Sequence, residues 1–192
     1  MRQPTKGIAT LAVVALALFA TGCNKGPAEA ALGAADQALA AAKPEIERYV
    51  PEELAALTSD VQAARSEFDK GNYTEALKAA QELPTKIQSA VAAAEEKKSQ
   101  LTMTWTALTA SLPGLVQSIT EKVATLGAAK ALPRGMTREM LASAQTDLGS
   151  VTEAWTAATA AFQGGDIPRA VETAQDVKAK AEALAGMLGL AS

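Results

Sequence analysis

The chain has 192 residues, 18 of them basic and 21 acidic, with no histidine and a single cysteine. That balance lacks the basic footprint with which proteins neutralise nucleic-acid phosphates, and it offers no attraction to an anionic bilayer surface. Without histidine, the commonest general base and the commonest nitrogen metal ligand are both missing.

The chain opens with a basic pair, Arg2 and Lys6, ahead of an apolar run from Ile8 to Ala20. The run has the length of a secretory h-region and falls short of the roughly 20 apolar residues that a membrane span needs. Residues 1–22 are therefore expected to be a cleaved export signal. The residues Ala20-Thr21-Gly22-Cys23 resemble a bacterial lipobox, although Ala stands at position 20 where leucine is commonest. An ordinary secretory peptide followed by an accidental cysteine is the alternative. The resemblance implies a bacterial lipoprotein whose Cys23 carries a diacylglyceryl group and an N-acyl chain, with no other cofactor. One acyl chain binds a bilayer only marginally, whereas two or three hold a protein there. Asn24 stands where an aspartate resembles an inner-membrane retention signal, which implies sorting to the periplasmic face of the outer membrane. Removing residues 1–22 leaves 170 residues, with 16 basic against 21 acidic and a net charge of −5.

Residues 23–27 read as a lipidated polar tether and residues 28–192 as one helical bundle domain. Alanine is abundant, aromatic residues make up only 4% of the chain, and alternating strand patterns are missing, so the fold class is all-α. About five or six helices in antiparallel hairpins are expected. Residues 28–43 form an alanine-rich helix in which Leu32 and Leu39 are the only large apolar side chains. Pro51 suits a first helical turn, followed by Glu52 and Glu53 at the positive end of the helix dipole. Leu54, Leu57, Val61, Ala64 and Phe68 then share one stripe.

Lys70-Gly71-Asn72 breaks that pattern, and Asn72 with Glu75 reads as a capping box that starts a helix at Tyr73. Its buried face is expected at Tyr73, Leu77, Ala80, Ile87, Val91 and Ala94, with a kink or division at Pro84. The charges Glu95, Glu96, Lys97 and Lys98 read as exposed. The stripe resumes at Leu101, Trp105, Leu108 and Leu112, and Pro113-Gly114 predicts a break before another helix carrying Leu115, Ile119, Val123 and Leu126. Residues 127–136 read as the longest loop. Thr137 caps a helix with Leu141, Ala144, Leu148, Val151, Trp155, Ala158 and Phe162 on one face. Asp166 caps the last helix, where Ile167, Val171, Ala174, Val177, Ala181, Leu184 and Leu188 face inward.

Phe68, Gly71, Asn72, Ala76, Leu77, Ala80 and Gln81 recur as Phe162, Gly165, Asp166, Ala170, Val171, Ala174 and Gln175, at an offset of 94. The upstream stripe follows suit, which predicts an internal duplication of one helical hairpin. The segment from Phe68 to Leu77 resembles the turn of a tetratricopeptide-type unit, but the tandem 34-residue spacing of that family is absent.

No phosphate loop, dinucleotide fingerprint or serine-nucleophile motif occurs, and lipidation would consume the one thiol, so neither an enzyme nor a metal site is expected. Trp105 and Trp155 lie on apolar stripes and are expected to be core anchors, a ligand platform being the alternative. Lys130, Arg134 and Arg138 surround Pro133 and read as a solvated loop, with contact to an acidic partner as the alternative. The chain is thus expected to be a membrane-anchored, non-catalytic lipoprotein acting as a structural or protein-interaction module of the bacterial envelope. It would have an envelope protein partner and no nucleic-acid partner. A carrier for an apolar ligand such as a lipid is the rival reading.

Overall fold

A computed structural model describes residues 24–190, which fold into five α-helices and no strands. These are α1 (Lys25–Tyr49), α2 (Pro51–Asp69), α3 (Tyr73–Ala128), α4 (Arg138–Gln163) and α5 (Ile167–Met187). Helix α3 dominates the architecture. Its 56 residues rise about 84 Å at 1.5 Å per residue.

Two three-helix cores are strung along that one helix. In the first lobe α1, α2 and the N-terminal part of α3 bury Ala35, Ile46, Leu57, Val61, Leu83, Ile87 and Ala90 in one cluster, and Leu32, Ala64 and Ala80 in another. In the second lobe the C-terminal part of α3 packs with α4 and α5 around Trp105, Leu112, Ile119, Val151, Val177 and Leu184. Every buried side chain among the described residues is apolar, many are alanine, and no buried polar side-chain atom lacks a hydrogen-bond partner. Alanine at these seams lets the helix axes approach closely. Each lobe runs up, down, up. Lateral ion pairs join the helices of the first lobe: Arg65 meets Asp36, Lys86 Nζ lies 2.6 Å from Asp60 Oδ2, and Lys98 Nζ lies 2.8 Å from Glu45 Oε1.

The expected division of α3 at Pro113-Gly114 does not occur, and neither does a division at Pro84. Proline removes one backbone donor and crowds the preceding turn, a penalty of about 3 kcal/mol in a helix interior. Both prolines are exposed, so their rings point away from the core. The buried stripe passes them in register as Ala76, Ala80, Leu83, Ile87, Ala90 and Ala94, then Trp105, Leu108, Leu112, Ile119, Val123 and Leu126. Packing on both sides of each proline outweighs the local cost. Helix α1 likewise continues through exposed Pro44, adding Ile46 and Tyr49 to its buried face. It also begins at Lys25, so residues 25–27, expected as part of an extended tether, form its first turn.

The predicted hairpin repeat is visible bond for bond. At the first turn Lys70 N donates to Ser66 O (3.1 Å), Gly71 N to Phe68 O (3.0 Å) and Asn72 N to Glu67 O (2.9 Å). At the second, Gly164 N donates to Ala160 O (2.9 Å), Gly165 N to Phe162 O (3.0 Å) and Asp166 N to Ala161 O (2.9 Å). Gly71 and Gly165 take φ of 85° and 80°, the left-handed conformation that a Schellman helix end requires. The capping differs between the copies. Asp166 accepts from Arg169 N at 3.3 Å, whereas the Asn72 side chain donates to Glu67 Oε2 at 2.6 Å, so the expected capping box is not formed. Thr137 caps α4 as expected, accepting from Met140 N at 3.2 Å.

Candidate functional site

Cys23, the expected lipid-attachment residue, lies outside the described residues; Asn24, the expected sorting residue, is the first within them. Asn24 Nδ2 donates to Thr74 Oγ1 at 2.8 Å, and Ala28 N donates to Asn24 O at 2.9 Å. Thr74 is the second residue of α3. The chain therefore enters the fold beside the start of its longest helix, at one extreme of the molecule, and not on its flank.

The opposite extreme is the loop 129–137 between α3 and α4. Here Gly135 takes φ of 86°, and Met136 N donates to Pro133 O at 3.1 Å. Leu132 and Met136 pack against the second core, and Arg138 Nη2 closes the loop by donating to Ala129 O at 3.1 Å. Lys130, Arg134 and Arg138 are thus gathered on one tip, as their sequence clustering suggests, and all three are exposed.

The two tryptophans meet each other. Trp105 and Trp155 stack with ring centroids 5.5 Å apart and planes 15° apart, and Trp105 and Phe162 stack at 4.6 Å and 8°. Trp155 and Phe162 lie seven residues apart on α4, a rise of about 10.5 Å. The two centroid distances together nearly span that rise, which slots the Trp105 indole between the other two rings. A flat ligand could stack on Trp105 only by displacing one of them. Trp105 is 7% exposed and belongs to the second core, as the core-anchor reading expects.

A third feature, the joint between the lobes, escaped the sequence reading. Lys98, expected to be simply exposed, lies on the α3 stripe between Ala94 and Leu101. Its Nζ pairs with Glu45 Oε1 and sits 5.5 Å from the centroid of the Tyr49 ring. The hydrogen bond from Lys98 to Glu45, with their Coulomb attraction, raises the Lys98 pKa above its ordinary value of 10.5. One residue before Tyr49, Arg48 Nη1 donates to Gly165 O at 3.3 Å, tying the end of α1 to the α4–α5 turn. Around this joint lie shallow polar hollows, one of about 470 Å³ lined by Pro44, Glu47, Arg48, Gly164, Asp166 and Pro168. The signal that marks Lys98 is its position: it continues the spacing of four then three from Ala94 to Leu101.

Two carboxylates are held below the usual range. Glu67 is lowered first by its hydrogen bond from Lys70 and then by that from Asn72; Glu139 is lowered by its own backbone N–H and then by the Thr137 hydroxyl. Both stand at helix ends, Glu67 half-buried and Glu139 exposed. No cluster of three or more potential metal ligands occurs among the described residues, and none of their helices is long and apolar enough to cross a membrane. The chain matches no protein-family model, and no curated protein and no solved structure is detectably similar to it.

Proposed function

We propose that the chain is a non-catalytic lipoprotein of the bacterial cell envelope, held by acyl chains on Cys23 and acting as a structural or protein-interaction module. Its expected place is the periplasmic face of the outer membrane. The supporting sequence features are the basic start, the short apolar run and the lipobox resemblance at Ala20-Thr21-Gly22-Cys23.

The observation that carries the reading is the Asn24–Thr74 hydrogen bond. It puts the residue after Cys23 at the N-terminal end of α3, so a lipid on Cys23 would grip the molecule by one end. The loop 129–137 would then be carried at the far end of a helix about 84 Å long. With only Asn24 before α1, little slack separates lipid from folded body. Such a geometry suits a spacer or presenter: the anchor fixes one end, two packed lobes supply stiffness, and the opposite tip meets whatever lies beyond the bilayer. The closed aromatic stack gives no support to the carrier reading at Trp105 or Trp155.

Membrane fractionation of the Cys23→Ser chain tests the proposal. The unsubstituted chain is expected in the membrane pellet, extractable by detergent and not by high salt. The substituted chain is expected to lack acyl mass and to remain unprocessed at residue 22. Co-sedimentation with unchanged mass and processing would refute the anchor.

A further inference from the structure

We infer that the α3–α4 loop is a docking point for an acidic protein segment, whose carboxylates are received by Lys130, Arg134 and Arg138. The inference deepens the interaction-module reading by naming the surface and the chemistry of its partner, and it does not need the lipid.

Charge is segregated along the molecule. Residues 121–139 carry four basic side chains, Lys122, Lys130, Arg134 and Arg138, against two acidic ones, Glu121 and Glu139. The rest of residues 24–192 carries 12 basic against 19 acidic. The tip is thus a positive cap on a negative body. An extended polyanion such as a nucleic acid would meet repulsion wherever it ran past the loop, whereas a short acidic segment meets the cap alone. Screening beyond about 8 Å at physiological salt confines the attraction to that footprint.

Among the described residues the cations have no acidic partner, and Arg138 has only its hydrogen bond to Ala129 O. None of the ion pairs among the described residues involves Lys130, Arg134 or Arg138. Glu139, the nearest acid in sequence, is likewise in none of those ion pairs. Arg138 is moreover the first residue of α4, where the positive end of the helix dipole repels it. A bound carboxylate would relieve that repulsion and complete the fork geometry that arginine offers to carboxylates.

The backbone beneath them is held. Leu132 and Met136 pack on the second core, Gly135 and Pro133 form a tight turn, and Arg138 ties back to Ala129. Side chains on a fixed loop lose less freedom on binding than those on a loose one.

The test is titration of the full chain, kept in a neutral detergent, with a fluorescent decaglutamate peptide. Saturable binding that weakens as salt rises is expected. Arg134→Glu should weaken it at least roughly tenfold, because a like charge now faces the peptide. Lys130→Glu should act in the same direction, while Lys78→Glu in the first lobe should stay within about twofold of the unsubstituted chain. Arg134 is exposed and makes no ion pair among the described residues, so its substitution leaves the fold intact. No saturable binding, equal weakening by Lys78→Glu, or binding of polyphosphate without decaglutamate would each overturn the inference. A chain that fails here yet stays membrane-bound through Cys23 removes the docking point and leaves the anchor standing.

Discussion

Glu45 Oε1 and Lys98 Nζ lie 2.8 Å apart at the point where the first core of the molecule ends and the second begins. Between Ala94 and Leu101 the buried stripe of α3 is interrupted by this one ammonium, which borrows a carboxylate from α1 and rests against the Tyr49 ring. A polar group at a seam position fixes how neighbouring helices register. Lys98→Met should therefore loosen the joint between lobes more than it lowers overall stability, and hydrogen exchange near Tyr49 and Gly165 should rise while exchange at Ile119 stays slow.

The same pair gives a pH dependence. Lys98 has its pKa raised by Glu45, so its contribution is fully present below the ordinary value of 10.5 and is lost as pH rises through the higher folded value. The difference in urea midpoint between the unsubstituted chain and Lys98→Met is expected to be constant from neutral pH up to about 10 and to shrink above that. A difference that grew with alkali would contradict the assignment.

Glycines at matched turns should respond alike. Gly71→Ala and Gly165→Ala force a side chain into the left-handed region, and each should destabilise by about 1–2 kcal/mol. Gly114→Ala sits in open space within α3 and should stabilise by about 0.5–1 kcal/mol. Equilibrium urea denaturation of the three variants separates these outcomes.

Continuity of α3 makes a similar forecast for Pro113→Ala. Restoring the backbone donor to Thr109 O should raise stability by up to about 3 kcal/mol, with helical circular dichroism unchanged or slightly greater. A loss of stability would mean that Pro113 is needed for packing α4 and α5.

Trp105 of α3 is joined to α4 through its stack with Trp155 and Phe162. Trp105→Ala should cost about 3–5 kcal/mol, and Trp105→Phe appreciably less because a ring still fills the slot. The remaining Trp155 emission should shift to the red in Trp105→Ala as its shielded face meets water.

Much of this was legible in the residues. The stripe from Leu141 to Phe162 and the inward face of α5 locate two helices, and Thr137 and Asp166 cap them as their positions suggest. The hairpin repeat was readable because Gly71 and Gly165 mark the same left-handed turn within the same spacing of apolar residues. Continuity through Pro113 was not, since a proline ends a helix or is carried through it according to whether packing on both sides outweighs its local penalty. Yet Leu108, Leu112, Leu115 and Ile119 keep the spacing of four and three across it, which is the mark of an unbroken helix. The capping box at Asn72 does not form because its amide has a second partner, Glu67, on the preceding helix. Of the candidate site, the basic cluster was visible as composition; its distance from Asn24 was not, because that distance depends on α3 being one helix.

Intact mass of the mature chain extracted from membranes tests the central claim most directly. The account expects a polypeptide that begins at Cys23 and carries the added mass of a diacylglyceryl group and an N-acyl chain. A chain starting at another residue, or one beginning at Cys23 with a free thiol, would contradict it.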